Sequence, residues 1–161
     1  MTIKIGDALP SGAFKVMTPD GAKPRTTDEI FKGRKVVLFG VPGAFTPTCH
    51  KNHLPGFMEK AAEFKAKGVQ EIAVYSVNDV HVMGAWEKAT GGAGKIAYLS
   101  DGNGDYASAL GLELDATGGG LGHRVKRFAM LVDNGVVKQL NVEDNPSKAD
   151  ATSATVLLGQ M

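Results

Sequence analysis

The run Val36-Val37-Leu38-Phe39-Gly40-Val41, followed at once by Pro42-Gly43-Ala44-Phe45-Thr46-Pro47-Thr48-Cys49, organises the reading of this chain. An apolar run rich in β-branched side chains reads as a buried strand. Pro42-Gly43 ends it. Thr46 is a favoured N-cap, and Pro47 suits the first helical position because a helix leaves that N–H unpaired anyway. Cys49 then falls in the first turn, at about the third helical position. Unpaired backbone N–H groups and the positive end of the helix dipole favour a thiolate in such a place. Cys49 is also the only cysteine of the chain.

Working outward, Phe14 to Val16 reads as a strand closed by the turn Thr18-Pro19-Asp20-Gly21, and Thr27 as the cap of a short helix through Phe31. Pro55 predicts a kink or fresh start in the helix after Cys49, because proline lacks an N–H and clashes with the preceding turn. Phe57 to Lys67 continues as helix until Gly68. Ile72–Val77 and Ile96–Leu99 read as two more buried strands, with a helix between them capped by Asn78 or Asp79. A short helix from Tyr106 to Leu110 and a loose glycine-rich stretch, 118–122, come next. Arg127 to Val132 and Val136 to Val142 form a hairpin across Asp133-Asn134-Gly135, and a last helix is expected from Lys148 to Leu158. Strands alternating with helices predict an α/β domain of three layers, a central mixed sheet flanked by helices on both faces.

The chain has 161 residues and a formal net charge of +1, which suits one domain, 1–161, with a real core. The balanced charge gives no strong field for nucleic acid or an anionic membrane, and no apolar run is long enough to span a bilayer. Met1 to Asp7 carries no signal or transit pattern, so a soluble cytoplasmic protein is expected. One cysteine allows no internal disulfide. There is no C-x-x-C, because Asn52 stands where the second cysteine would be, and Pro55 stands where a cysteine phosphatase loop needs arginine. Cys49 and His53 share a helical face, but a structural zinc site takes four protein ligands, and His81 and His123 are distant in sequence. No metal is expected, and His50 and His53 read as local packing. The glycines of 118–122 do not form a dinucleotide-binding pattern.

Pro42-x-x-x-Thr46-x-x-Cys49 resembles the active-site signature of the peroxiredoxins. The longer string 40–49, with His53-Leu54-Pro55-Gly56-Phe57 after it, resembles their type II/type V (atypical) branch. Ser76-Val77-Asn78-Asp79 and Lys126-Arg127-Phe128 leading into Met130 agree. The resemblance runs from Ile3 to about Val142. It implies a thioredoxin-like fold, a homodimer, and a thiol peroxidase acting on hydrogen peroxide and organic hydroperoxides. Its catalytic set would be Cys49, Thr46, Arg127 and Pro42, with Arg124 a second candidate beside Arg127. No bound cofactor is implied. In many relatives a second cysteine resolves the oxidised one. Val74 and residues 150–155 offer none here, so an outside thiol is needed, glutathione with glutaredoxin first and thioredoxin second. A peroxide sensor acting through a partner protein, and a cysteine hydrolase, are the rival readings.

A peroxidase also makes an energetic demand. A free cysteine of pKa about 8.5 is roughly 5–10% thiolate near neutrality. Lowering a thiol to about 6 raises the thiolate about tenfold, yet a Brønsted slope of about 0.4–0.5 takes roughly tenfold back in nucleophilicity. Speed must therefore come from donors that stabilise the departing oxygen. The Thr46 hydroxyl, the Arg127 guanidinium and the N–H groups of the helix start are the expected set, with Pro42 shielding the sulphur.

Overall fold

The computed structural model describes residues 1–161. Along the chain come β1 (Ala13–Thr18), β2 (Gly21–Thr26), α1 (Thr27–Phe31), β3 (Lys35–Gly40), a π-helical turn (Cys49–His53), α2 (Leu54–Glu59), α3 (Ala61–Ala66) and β4 (Glu71–Ser76). Then follow α4 (Val80–Thr90), β5 (Ala97–Ser100), α5 (Asp105–Leu110), β6 (Glu113–Asp115), β7 (His123–Val125), β8 (Phe128–Asp133), β9 (Val136–Val142) and α6 (Ala154–Gly159). Seven strands form one sheet in the order β2-β1-β5-β4-β3-β8-β9. β3, β4 and β5 pair in parallel, while β8 runs antiparallel to β3, so the sheet is mixed. This is the thioredoxin-like α/β architecture expected from the sequence.

The period-two alternation of β3 explains the layers. Val37 and Phe39 face one side, where they pack with Leu54, Phe57, Phe64, Met83, Trp86 and Leu157 of the helices α2, α3, α4 and α6. Val36 and Leu38 face the other side, with Ile30 and Phe31 of α1 and Tyr106 and Leu110 of α5. Both faces are therefore covered, and β3 is apolar throughout because it has no solvent face. Gly40 ends β3 opposite Phe128, and a Cβ there would overlap the Phe128 ring. The glycine lets that ring cross under the strand just before the cysteine loop begins.

Several local expectations shift. The α1 cap is Thr26 and not Thr27: its hydroxyl accepts from the Glu29 N–H, and the Glu29 carboxylate accepts from the Thr26 N–H. Residues 21–26 form a second strand of the first hairpin, where the sequence pattern shows only a turn. Arg127 precedes β8 and does not begin it. The last helix covers only Ala154–Gly159, capped by Ser153, because the chain before it is spent in turns around the site. Residues 118–122 lie at the tip of a small ribbon formed by β6 and β7, apart from the main sheet. The Asn134-Gly135 hairpin forms as expected, with both residues at positive φ (49° and 76°).

Candidate active site

The chain leaves β3 and turns at Phe45, whose φ of +65° lies in the left-handed region that a non-glycine residue enters at a cost of about 1–2 kcal/mol. The turn sends Thr46 to the N-cap position. Pro47 and Thr48 are helical, and the His50 N–H bonds the Thr46 carbonyl at 2.9 Å. Cys49 is thus the third helical residue, as its spacing predicts. The expected disturbance at Pro55 is present. The helix changes type there: a π turn, in which the Leu54 N–H reaches back to the Cys49 carbonyl, gives way to the fresh α-helical segment α2 at Leu54. Pro55 sits in the first turn of α2, where its missing N–H does least harm, and a further break falls at Lys60.

Cys49 is fully buried. Arg127, also buried, donates Nη2–H to its Sγ at 3.0 Å across 78 positions of sequence. Arg127 is fixed at two further points: Nε donates to the Pro146 carbonyl at 3.1 Å, and Nη1 donates to His53 Nδ1 at 2.9 Å. An arginine has no acceptor, so Nδ1 carries no proton. The proton is on Nε2, which donates to the Thr152 carbonyl at 2.9 Å. Burial, then the Arg127 charge, push the His53 pKa down to about 3, against the Thr152 carbonyl that favours the charged ring. His53 is therefore neutral at physiological pH. The chain of contacts continues outward, since Glu143 accepts from both the Thr152 hydroxyl (2.8 Å) and its N–H (3.1 Å).

Sequence alone reads His53 as local packing and misses its place in this network. Its face-sharing with Cys49 is the available signal, but the partner it serves lies 74 positions away. With both ring nitrogens engaged it is not free to ligate a metal, and no group of three or more His, Cys, Asp or Glu side chains gathers anywhere to hold one. His50 points elsewhere and accepts from Trp86 Nε1–H at 3.0 Å.

Thr46 behaves differently from expectation in one respect. Its hydroxyl donates to the Gly43 carbonyl at 2.6 Å and caps no helix N–H. Thr46, Pro42 and Arg127 line a cavity of about 400 Å³, with Leu114, Ala116 and Leu121 across from them. Cys49 is fully buried and does not line the cavity; it contacts the lining residue Arg127. Arg124 does not reach the sulphur; its Nη1 donates to the Pro42 carbonyl at 3.1 Å. A cysteine sulphur facing a guanidinium that is itself locked in place, beside a small cavity, is an arrangement for attacking an electrophile with a charged leaving group.

The family model described as Redoxin matches residues 4–157. Peroxiredoxin-2E-2, chloroplastic, of Oryza sativa subsp. japonica is 48% identical over 161 residues, covering 97% of this chain and 72% of that protein. The chain belongs to the peroxiredoxin family. Peroxiredoxin-2B of Arabidopsis thaliana is 47% identical over 88% of each chain. The crystal structure of reduced Prx3 from Vibrio vulnificus, in complex with hydrogen peroxide, superposes with a TM-score of 0.92 at 46% identity over 99% of each chain. As a peroxiredoxin it is a thiol-dependent peroxidase that works through a cysteine, and Cys49 is the one it has. No helix of this peroxiredoxin is long and apolar enough to cross a membrane.

Proposed function

We propose that the protein reduces hydrogen peroxide and organic hydroperoxides at Cys49, and that glutathione with glutaredoxin returns it to the thiol, ahead of thioredoxin. The observation that carries this reading is the 3.0 Å contact of Arg127 Nη2 with Cys49 Sγ, Arg127 itself lining a cavity together with Thr46. The Cys49 thiolate attacks one peroxide oxygen, an S–O bond forms and the O–O bond breaks. The other oxygen leaves with the electron pair and takes a proton as water or alcohol. Arg127 stabilises the charge on that oxygen, the Thr46 hydroxyl orients the peroxide, and Pro42 keeps water off the sulphur. The product is a sulfenic acid.

Regeneration has to be external. A first glutathione thiolate forms an S–S bond with Cys49 as the S–O bond breaks, and the departing hydroxide takes a proton to leave as water. A second thiol then takes the glutathione and leaves Cys49 reduced. No bound cofactor enters this cycle. Because the sulphur is fully buried, the cysteine turn must open for a thiol to reach it. We take residues 1–161 as one domain with one site, working in the reducing cytoplasm. A homodimer is supported by Phe45, about half exposed at 48% and stacked on His50, which offers a second copy an apolar rim beside the site. Sedimentation showing only monomer at micromolar concentration removes the dimer.

The test is intact-mass measurement after one equivalent of peroxide, with and without glutathione. One glutathione per chain, released on adding glutaredoxin and more glutathione, is expected. Steady turnover with thioredoxin and no adduct at any time overturns the reductant. Oxidation without turnover by either route favours a sensor over an enzyme.

A further inference from the structure

We infer that Arg124 is a positioning residue that sets the enzyme's selectivity for organic hydroperoxides by tying together the two walls of the cavity. The β6–β7 ribbon supplies the apolar wall, Leu114 on β6 with Ala116 and Leu121 at its tip. The cysteine loop supplies the other, Pro42 and Thr46. A two-stranded ribbon is marginally stable alone. This one is closed at its root by the Lys126 N–H on the Leu112 carbonyl at 2.7 Å. Beyond that root, a single hydrogen bond joins residues 113–125 to the rest of the chain, and it is Arg124 Nη1–H to the Pro42 carbonyl. The same side chain donates Nε–H to the Leu121 carbonyl at 2.8 Å. One guanidinium therefore holds the ribbon tip and the cysteine loop at a fixed separation.

The loop is shaped to admit that strut. A Cβ on Gly43 would lie 2.9 Å from Arg124 Nη1 and 3.0 Å from Thr46 Cγ2, so a side chain at 43 competes with the guanidinium for its place. The peptide after the one Arg124 grips carries the Gly43 carbonyl, which receives the Thr46 hydroxyl. Hydrogen peroxide has no substituent to rest on the ribbon. An alkyl or aryl hydroperoxide does, and its organic group needs Leu114 and Leu121 held across from Thr46. Loss of the strut removes that contact for the organic substrate selectively.

This inference rests on the peroxidase reading, and the experiment separates the two. Second-order rate constants for hydrogen peroxide and cumene hydroperoxide are measured for the unaltered chain, Arg124→Gln, Arg124→Lys, Leu121→Ser and the double variant that combines Arg124→Gln with Leu121→Ser. Thermal melting checks folding. The ratio of cumene hydroperoxide to hydrogen peroxide rate constants should fall about tenfold in Arg124→Gln, the size expected for one charged hydrogen bond. The loss should show as a raised KM for cumene hydroperoxide. Arg124→Lys, with one donor head for two carbonyls, should fall between. Leu121→Ser should shift the ratio the same way, and the double variant should lose little more than the larger single. Should Arg124→Gln fail to fold, Arg124→Lys and Leu121→Ser carry the comparison. Equal losses for both peroxides, no change for either, or additive losses in the double variant overturn the inference. Failure of the unaltered chain to reduce either peroxide overturns the peroxidase reading instead.

Discussion

Acid should weaken this protein through His53, and substitution by glutamine should relieve it. His53 is buried, at 2% exposure, and neutral, with a pKa of about 3 against 6.5 for the free side chain. Below pH 6.5 the unfolded chain takes up a proton at this position that the folded chain refuses, because burial penalises the charged ring and the unprotonated nitrogen faces the Arg127 guanidinium. Stability from this group is whole above pH 6.5, declines as pH falls, and is exhausted near pH 3. At pH 5 the loss is about 1.5 pH units at 1.36 kcal/mol each, or about 2 kcal/mol. A glutamine side chain in this place would offer a carbonyl oxygen to Arg127 and an N–H to the Thr152 carbonyl without titrating, so His53→Gln keeps both bonds and loses the pH dependence. The assay is urea unfolding followed by circular dichroism at pH 7.5 and pH 5, at one protein concentration. Between the two pH values the unaltered protein should lose about 2 kcal/mol more than His53→Gln, a midpoint displacement of about 1 M for a urea slope of about 2 kcal/mol/M. Equal losses in both proteins would refute the argument that burial and the Arg127 charge hold His53 in its neutral form.

Arg127→Gln should lower the second-order rate with hydrogen peroxide by about 100-fold, the scale of removing one donor to a developing oxyanion, measured by stopped flow; Arg124→Gln should cost hydrogen peroxide less, and the reverse order would displace Arg127 from its role. Cys49→Ser should abolish turnover with the fold intact, because a serine hydroxyl stays protonated at pH 7; circular dichroism and a coupled peroxidase assay check both halves. Gly40→Ala should destabilise the chain by about 1–3 kcal/mol, the usual penalty of overpacking, as the new methyl meets the Phe128 ring. A urea midpoint unchanged from the parent would show that the ring yields at no cost.

What the sequence made legible is what local chemistry determines. The strand at 36–41, the Thr46-Pro47 helix start and the third-position Cys49 depend on residues within a few places of one another. The Thr26 cap was equally available, since Glu29 completes a capping box three residues on, but an adjacent threonine competed with it. The ribbon was not legible. Glu113–Asp115 alternates over only three residues and His123–Val125 has a single apolar residue, so both fall short of the length at which a strand pattern is read. The second strand of the first hairpin, Gly21–Thr26, contains Pro24 and is largely exposed, which suits an edge strand and erases the usual pattern. Pro55 announced a disturbance but not its kind, because a π turn redistributes the missing hydrogen bond instead of breaking the helix. Arg127 reached the site on family resemblance alone. Spacing says nothing about a contact spanning 78 residues, and the same holds for His53, whose importance comes wholly from what folds against it.

The bond from Trp86 to His50 makes the protein a self-labelled instrument. Trp86 is the only tryptophan in the chain, it is completely buried, and its indole N–H ends on a residue inside the turn that begins with Cys49. Unwinding that turn to uncover the sulphur breaks a hydrogen bond on the one strong chromophore and lets water approach it. Emission intensity and wavelength should therefore track the open fraction of the site in real time, without a dye, a tag or a second cysteine to attach one to.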